Sequence, residues 1–256
     1  QARVVDENTN APVTHYLDWQ AADMDHENLH FKIVLSKIPA GGLYRVETRI
    51  RHAYAKDRRA FRGDCIHHLG VGDIYVIAGQ SNASGTGKGY APDGPMLGVH
   101  QYANDEHWKL ATHPIEDATN TLHPITITRI FHGTSPWLTF GKQIFTKTNI
   151  PIGLIPTALG GSSITKWIRD DLKPGTLYHN MADMIEKAGG KIKGVVWYQG
   201  ETDSRLDRMV GYEEKFIRLV ELTRELVGDP ELPFLTGQLN RVQEIGKWED
   251  TGWTKV

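Results

Sequence analysis

Three short polar runs in this sequence carry residue types suited to acyl-transfer chemistry, and each follows an apolar run. Gly79-Gln80-Ser81-Asn82 comes directly after Ile74-Tyr75-Val76-Ile77-Ala78. A serine on the turn leaving a buried strand presents its oxygen outward, where it is a nucleophile once a base reaches it. Its structural alternative is a helix N-cap. Position 83 is alanine, so the run is not the Gly-x-Ser-x-Gly elbow. The second run is Gly160-Gly161-Ser162-Ser163, after Ile152–Ala158. Glycine lets backbone N–H groups approach a ligand closely, and such donors can hold an oxyanion. An ordinary glycine turn with a serine cap is the plainer reading. The third is Trp197-Tyr198-Gln199-Gly200-Glu201, leaving another apolar run. The Gln199 amide can donate to an oxyanion, and Glu201 can orient a neighbour or support the loop. Together the runs offer a nucleophile and two donors at equivalent places, and what they lack is a base.

The elements that must position these runs follow from the apolar pattern. Short continuous apolar runs at Ile74–Ala78, Ile125–Phe131, Ile152–Ala158, Val195–Tyr198 and Pro233–Leu239 read as buried parallel strands. Helical patterns lie at about 135–148, 176–188 and 211–227. This alternation predicts a three-layer α/β domain with ligands at the carboxyl ends of its strands. Residues 1–72 instead read as β-rich. Phe31–Leu35 and Tyr44–Ile50 alternate apolar and polar, and Gly41-Gly42 between them predicts a hairpin or sandwich fragment. Residues 83–124 show little periodicity and read as a long loop beside the site.

Composition narrows the function classes. The chain has 256 residues, 39% hydrophobic and 23% charged, with a net charge of -2. That balance excludes the electrostatic footprint of a dedicated nucleic-acid binder. No apolar run reaches the ~20 residues that span a bilayer, so no membrane role is expected. The single Cys65 excludes an internal disulfide and every multi-cysteine zinc site. It fits the cytoplasm and also many bacterial secreted enzymes; a secreted or periplasmic location is the expectation. Gly85-Thr86-Gly87-Lys88-Gly89 fails as a phosphate loop, because Asn82 and Gly89 stand where glycine and a hydroxyl are needed.

With these residues in hand, the sequence resembles a known family. Gly79-Gln80-Ser81-Asn82, Gly160-Gly161-Ser162 and Trp197-Tyr198-Gln199-Gly200-Glu201, in that order, are similar to the sialate O-acetylesterase-related branch of the SGNH hydrolases. Plant-type carbohydrate acetylesterases share the same signatures. Val71–Val76, Ile192–Trp197 and Leu232–Leu235 extend the resemblance, which covers roughly residues 30–245. It implies a flavodoxin-like α/β/α domain over residues 73–256, preceded by a small sandwich-like β region over 1–72. It also implies a serine esterase that removes O-acetyl groups from a carbohydrate, such as sialic acid or xylan, through an acyl-serine. Carried over by motif, Ser81 is the nucleophile, and its own N–H, the Gly160 or Gly161 backbone and the Gln199 amide form the oxyanion hole. Gln80, Asn82 and Glu201 support the loops. Trp167 and Trp197 are the tryptophans expected to approach the sugar. The resemblance implies no cofactor and no metal, and the expected partner is an acetylated carbohydrate.

The family's base is a histidine in a C-terminal Asp-x-x-His. Here the last histidine is His179, and the spacing occurs only at Asp23–His26 and Asp64–His67, both before Ser81. The expectation is therefore that the chain stops before the final strand, the base and its helix. His123, His132 and His179 sit within the α/β part, where they could line the pocket. The rival class is a carbohydrate-binding module or pseudoenzyme without its base, and a lipase or thioesterase on the same fold is the third.

Overall fold

A computed structural model describes residues 1–51, 59–89, 93–127, 133–204 and 208–239, together with the backbone of 243–244 and 247–248. The chain divides into two compact units, Gln1–Gly72 with Ile144–Ile152, and Asp73–Gln143 with Gly153–Val256.

The first unit is built on five strands: β1 (Ala2–Asp6), β2 (Asp23–Asp25), β3 (His30–Lys32), β4 (Gly41–Arg51) and β5 (Ala60–Val71). β1, β4 and β5 form an antiparallel sheet in the order β1-β4-β5, and β2 pairs with β3 as a separate ribbon. Period-two alternation explains how β4 is used. Tyr44 and Val46 join Val4 and Leu17 in a small core, while Glu47 stands opposite Arg3 on the other face. The expected hairpin between Phe31–Leu35 and Tyr44–Ile50 is replaced. Gly41 and Gly42 open β4 itself, and β3 ends at Lys32. Their glycines answer to close packing: a Cβ at Gly42 would lie 2.8 Å from the Leu69 carbonyl oxygen.

The second unit carries a six-stranded sheet of β6 (Asp73–Gly79), β7 (Val99–Tyr102), β8 (Trp108–Leu110), β9 (Ile152–Pro156), β10 (Gly194–Tyr198) and β11 (Phe234–Thr236). Its order is β11-β10-β6-β9-β7-β8. β10 runs parallel to β6 and β11, and β8 is an antiparallel edge on β7. Among the described residues four helices accompany it: α1 (Ser81–Ser84), α2 (Trp137–Thr148), α3 (Thr176–Lys187) and α4 (Tyr212–Val227). Val76 and Ala78 of β6 join α3 residues Leu177 and Met181 and α4 residue Leu219 in the main core. The alternate β6 residue Tyr75 meets Phe140 of α2 on the opposite face, ring centroids 5.2 Å apart. Helices therefore cover both faces, as the expected three-layer α/β/α domain requires.

Two expectations here are corrected. The stretch 83–124 contributes β7 and β8 to the sheet edge, and three- or four-residue strands are too short to show a period. Pro124–Thr126 form a 3₁₀ turn where a strand was expected, and 128–131 lie outside the described residues. Among the described residues no helix is long and apolar enough to cross a membrane.

Candidate active site

β6 lies between β9 and β10, so the chain that leaves it has neighbours whose connections run in opposite directions along the sheet. A crevice forms at such a point beyond the strand ends. All three polar runs open there, at the ends of β6, β9 and β10. Backbone bonds fix their mutual placement. Gln80 N donates to Tyr198 O (3.0 Å), and Leu159 N donates to Gly79 O (3.1 Å). Ser162 Oγ also donates to Gly79 O, at 3.3 Å. Gly79 has φ +134°, and a Cβ there would stand 2.1 Å from Tyr198 O, so only glycine lets β6 and β10 meet this closely.

Ser81 begins the single turn of α1 and is partly exposed. The turn is held by Ser84 N donating to Gln80 O (2.8 Å) and Gly85 N donating to Ser81 O (3.0 Å). Trp137 Nε1 donates to Ala83 O from α2, at 2.6 Å. Among the described residues the Ser81 hydroxyl makes no hydrogen bond, so its oxygen is available to a substrate. Gly160 and Gly161 lie on the turn after β9, and among the described residues neither N–H has a protein acceptor. Unengaged main-chain donors are what an oxyanion hole needs.

Gln199 behaves differently from expectation. Its side chain is buried, and Nε2 lies 2.5 Å from Asp203 Oδ2, 3.0 Å from Ser162 O and 3.3 Å from Gln80 Oε1. Its Oε1 accepts from Tyr212 Oη at 2.7 Å. Two amide hydrogens facing three acceptors leave none for an oxyanion. The expected oxyanion donor is thus corrected to a positioning residue that ties the three loops together. Gln80 shares this role, because its Oε1 also accepts from Thr202 N at 3.1 Å.

Asp203 is the residue that motif reading missed. It is 2% exposed and accepts from Ser163 Oγ (2.6 Å), Ile164 N (2.8 Å) and Gln199 Nε2. Its one sequence signal is an acid four positions after Gln199. Burial raises the Tyr212 hydroxyl well above its ordinary pKa, with the Asp203 and Glu201 charges adding to the effect. It therefore stays protonated and donates to Gln199.

Asn82 and Glu201 link two of the loops, Asn82 Nδ2 donating to Glu201 Oε1 at 2.5 Å. Burial raises the Glu201 pKa against the lowering effect of that donor, and among the described residues its buried Oε2 has no hydrogen-bond partner. Beneath the Gly160 turn, Glu116 is 1% exposed, and its Oε2 accepts from Ala158 N at 3.3 Å. Burial pushes its carboxyl up to about 8.

The tryptophan expectations are corrected. Trp167 and Trp197 are 0% and 2% exposed and pack edge to face, centroids 5.1 Å apart, inside the main core. Neither ring presents a face to a sugar.

The histidines have other engagements. His67, with its Asp-x-x-His spacing, turns Nδ1 to Glu7 Oε1 at 2.9 Å within the first unit. His123 is buried near Glu106 and Asp183, whose ligand atoms with its own lie within 4.8 Å of one another. Lys187 Nζ sits 2.5 Å from Glu106 and 2.9 Å from Asp183, so an ammonium already supplies the positive charge there. His179 is exposed on α3, and His132 lies outside the described residues.

Comparison with known proteins gives the family and the fold. The family described as carbohydrate esterase, sialic acid-specific acetylesterase matches residues 71–255. A probable carbohydrate esterase of Arabidopsis thaliana is 28% identical over 200 residues, covering 67% of this chain and 73% of the relative. A solved Arabidopsis thaliana structure superposes with a TM-score of 0.58 at 25% identity, over 71% of this chain and 79% of that one. A carbohydrate acetylesterase from Xanthomonas citri superposes with a TM-score of 0.52 at 25% identity, over 78% of this chain and 46% of that one. NanS shares the fold, with a TM-score of 0.50 at 19% identity over 64% of this chain and 66% of that one.

Proposed function

Because the chain belongs to the carbohydrate esterase family of sialic acid-specific acetylesterases, we propose that it removes O-acetyl groups from a carbohydrate through an acetyl-serine. The observation that carries this reading is the partly exposed Ser81 leaving β6 at the same strand-end crevice as the N–H groups of Gly160 and Gly161, which among the described residues have no protein acceptor. Ser81 Oγ attacks the acetyl carbonyl, and the oxygen that becomes negative is held by main-chain N–H groups of Gly160, Gly161 and Ser81 itself. Collapse expels the sugar hydroxyl, and water then releases acetate from the serine. The attack requires a general base, which contributes ~10²–10⁴-fold in rate. Among the described residues no histidine is hydrogen-bonded to Ser81.

Acetylated sialic acid and acetylated xylan are the substrate classes in this reading, and a secreted or periplasmic location goes with it. The test is Ser81→Ala on an activated acetate ester and on both acetylated glycans. Turnover is expected to fall at least about 10³-fold, the scale of losing a triad nucleophile. Unchanged hydrolysis overturns the proposal. Wild-type protein that binds acetylated sugar without turning it over establishes the rival, a binding module.

A further inference from the structure

The first unit carries a cationic cavity of its own, separate in origin from the esterase chemistry. Its volume is about 350 Å³, and Trp19, Glu47, Thr48, Arg49, Ala60 and Arg62 line it. That falls in the range of small-molecule pockets, at the size of one sugar residue. Arg49 and Arg62 stand directly opposite each other on β4 and β5. Like charges so placed oppose strand pairing. Neighbouring arginines are neutralised: Arg3 and Arg45 close on Glu47 at 2.7 and 2.6 Å, and Arg3 also lies 3.5 Å from Asp18. Among the described residues neither Arg49 nor Arg62 closes on a carboxylate at salt-bridge distance, and the cavity lining sets two guanidiniums against the single carboxylate of Glu47.

Arg49 is also held in place. Its Cζ lies 3.9 Å from the centroid of the Trp19 ring, over which Arg3 lies as well at 4.5 Å. Its Nε donates to Gln1 Oε1 at 2.7 Å, which leaves the terminal nitrogens of the guanidinium for another acceptor. Burial first, then the charges of Arg51 and Arg3, lower the Arg49 pKa from its ordinary value against the opposing charge of Asp18. An indole that fixes a guanidinium by cation–π contact prepares it for a planar anion. Beside these cations, Glu47 offers carboxylate oxygens that keep acceptor capacity beyond Arg3 and Arg45 and suit sugar hydroxyls, while the Thr48 hydroxyl is committed to Asp64 O at 2.7 Å.

We propose that this cavity is a binding site for a carboxylated sugar, a uronic-acid type of residue, with its carboxylate across Arg49 and Arg62 and its hydroxyls toward Glu47. The nearby Glu47 charge favours a singly charged carboxylate over a phosphate. The site stands independently of the esterase reading, because none of its residues belongs to the Ser81 loops.

The test is calorimetric titration of the whole chain with glucuronate, glucose and inorganic phosphate at low and high salt. Glucuronate is expected to bind, glucose to give no heat, and binding to weaken with salt as the charges are screened. Arg62→Ala, an exposed position, is expected to weaken glucuronate at least tenfold, on the scale of a lost charge-assisted pair, while acetate-ester turnover stays at the wild-type rate. Arg49→Lys keeps the charge but loses the planar fork and is expected to weaken binding as well. Glucose binding as well as glucuronate overturns the proposal. So does phosphate displacing glucuronate at equal concentration, or an Arg62→Ala protein that still binds as tightly as wild type.

Discussion

Glu47 and Asp203 are both carboxylates gathered by several donors, and they sit in opposite surroundings. Glu47 lies on a sheet face of the first unit, partly open to water, and its donors are the charged guanidiniums of Arg3 and Arg45. Those guanidiniums and hydrogen bonds lower its pKa against the opposing effect of burial. Asp203 is buried in the second unit, and its donors are a hydroxyl, a backbone N–H and an amide. At the open site charge balances charge, and solvent screens whatever is left over. In the closed site every hydrogen-bonding atom has to be matched by geometry, because a buried unsatisfied donor costs about 1–3 kcal/mol. Surplus charge can thus persist on β4 and β5, while the Gln199 network is nearly saturated.

Removing Asp203 should break this contrast most visibly. Asp203→Ala strips Ile164 N of its acceptor and removes one acceptor each from Ser163 Oγ and Gln199 Nε2; it is expected to cost roughly 2–4 kcal/mol, with loss of esterase activity as the loops loosen. Urea unfolding monitored by tryptophan fluorescence measures it, and a loss below about 1 kcal/mol would falsify the assignment of Asp203 as the keystone of the loops.

Glu116 tests the closed environment through pH. Its folded pKa of about 8 stands above the ordinary carboxyl value of 4.5. The folded state therefore holds a proton that the unfolded chain has already released between those values. The stability from this group is complete below about 4.5 and drains away as pH rises toward 8, by about 1.4 kcal/mol for each unit. Glu116→Gln, a neutral mimic of the protonated acid, should remove that slope. Parallel denaturation curves at pH 5 and pH 8 decide it, and an identical pH slope in wild type and variant would refute the buried neutral acid.

Glu47→Gln is the mildest of the three, expected to cost about 1–2 kcal/mol. Its distinguishing mark is salt. In 1 M NaCl, where the screening length is about 3 Å, the loss should shrink, whereas the Asp203 loss should hardly move. Equal salt sensitivity at both positions would erase the contrast.

Much of the α/β unit could be read from sequence because doubly covered strands such as Ile74–Ala78 and Val195–Tyr198 are apolar throughout. Their ends located Ser81 and the Gly160–Gly161 turn. β7 and β8 escaped because their pairing is decided by neighbours rather than by a local period. The direction of the Gln199 amide escaped for a related reason. It depends on Asp203 and on Tyr212 of α4, which only tertiary packing brings near. Trp197 carried a signal that was overlooked: it shares strand parity with the buried Val195, and that face of β10 belongs to the main core. In the first unit, Gly41-Gly42 has the same composition as a turn, and only the proximity of Leu69 distinguishes a packed strand.

The donors at Gly160 and Gly161 belong to the main chain, which every amino acid shares, whereas the Ser81 oxygen exists only while that codon specifies serine. Under the proposed acyl-serine mechanism, heredity can therefore erase the reactive atom in a single step and leave the donor pocket standing, provided the turn keeps its shape. On that proposal the protein lies one substitution away from a receptor for the ester it is proposed to cleave.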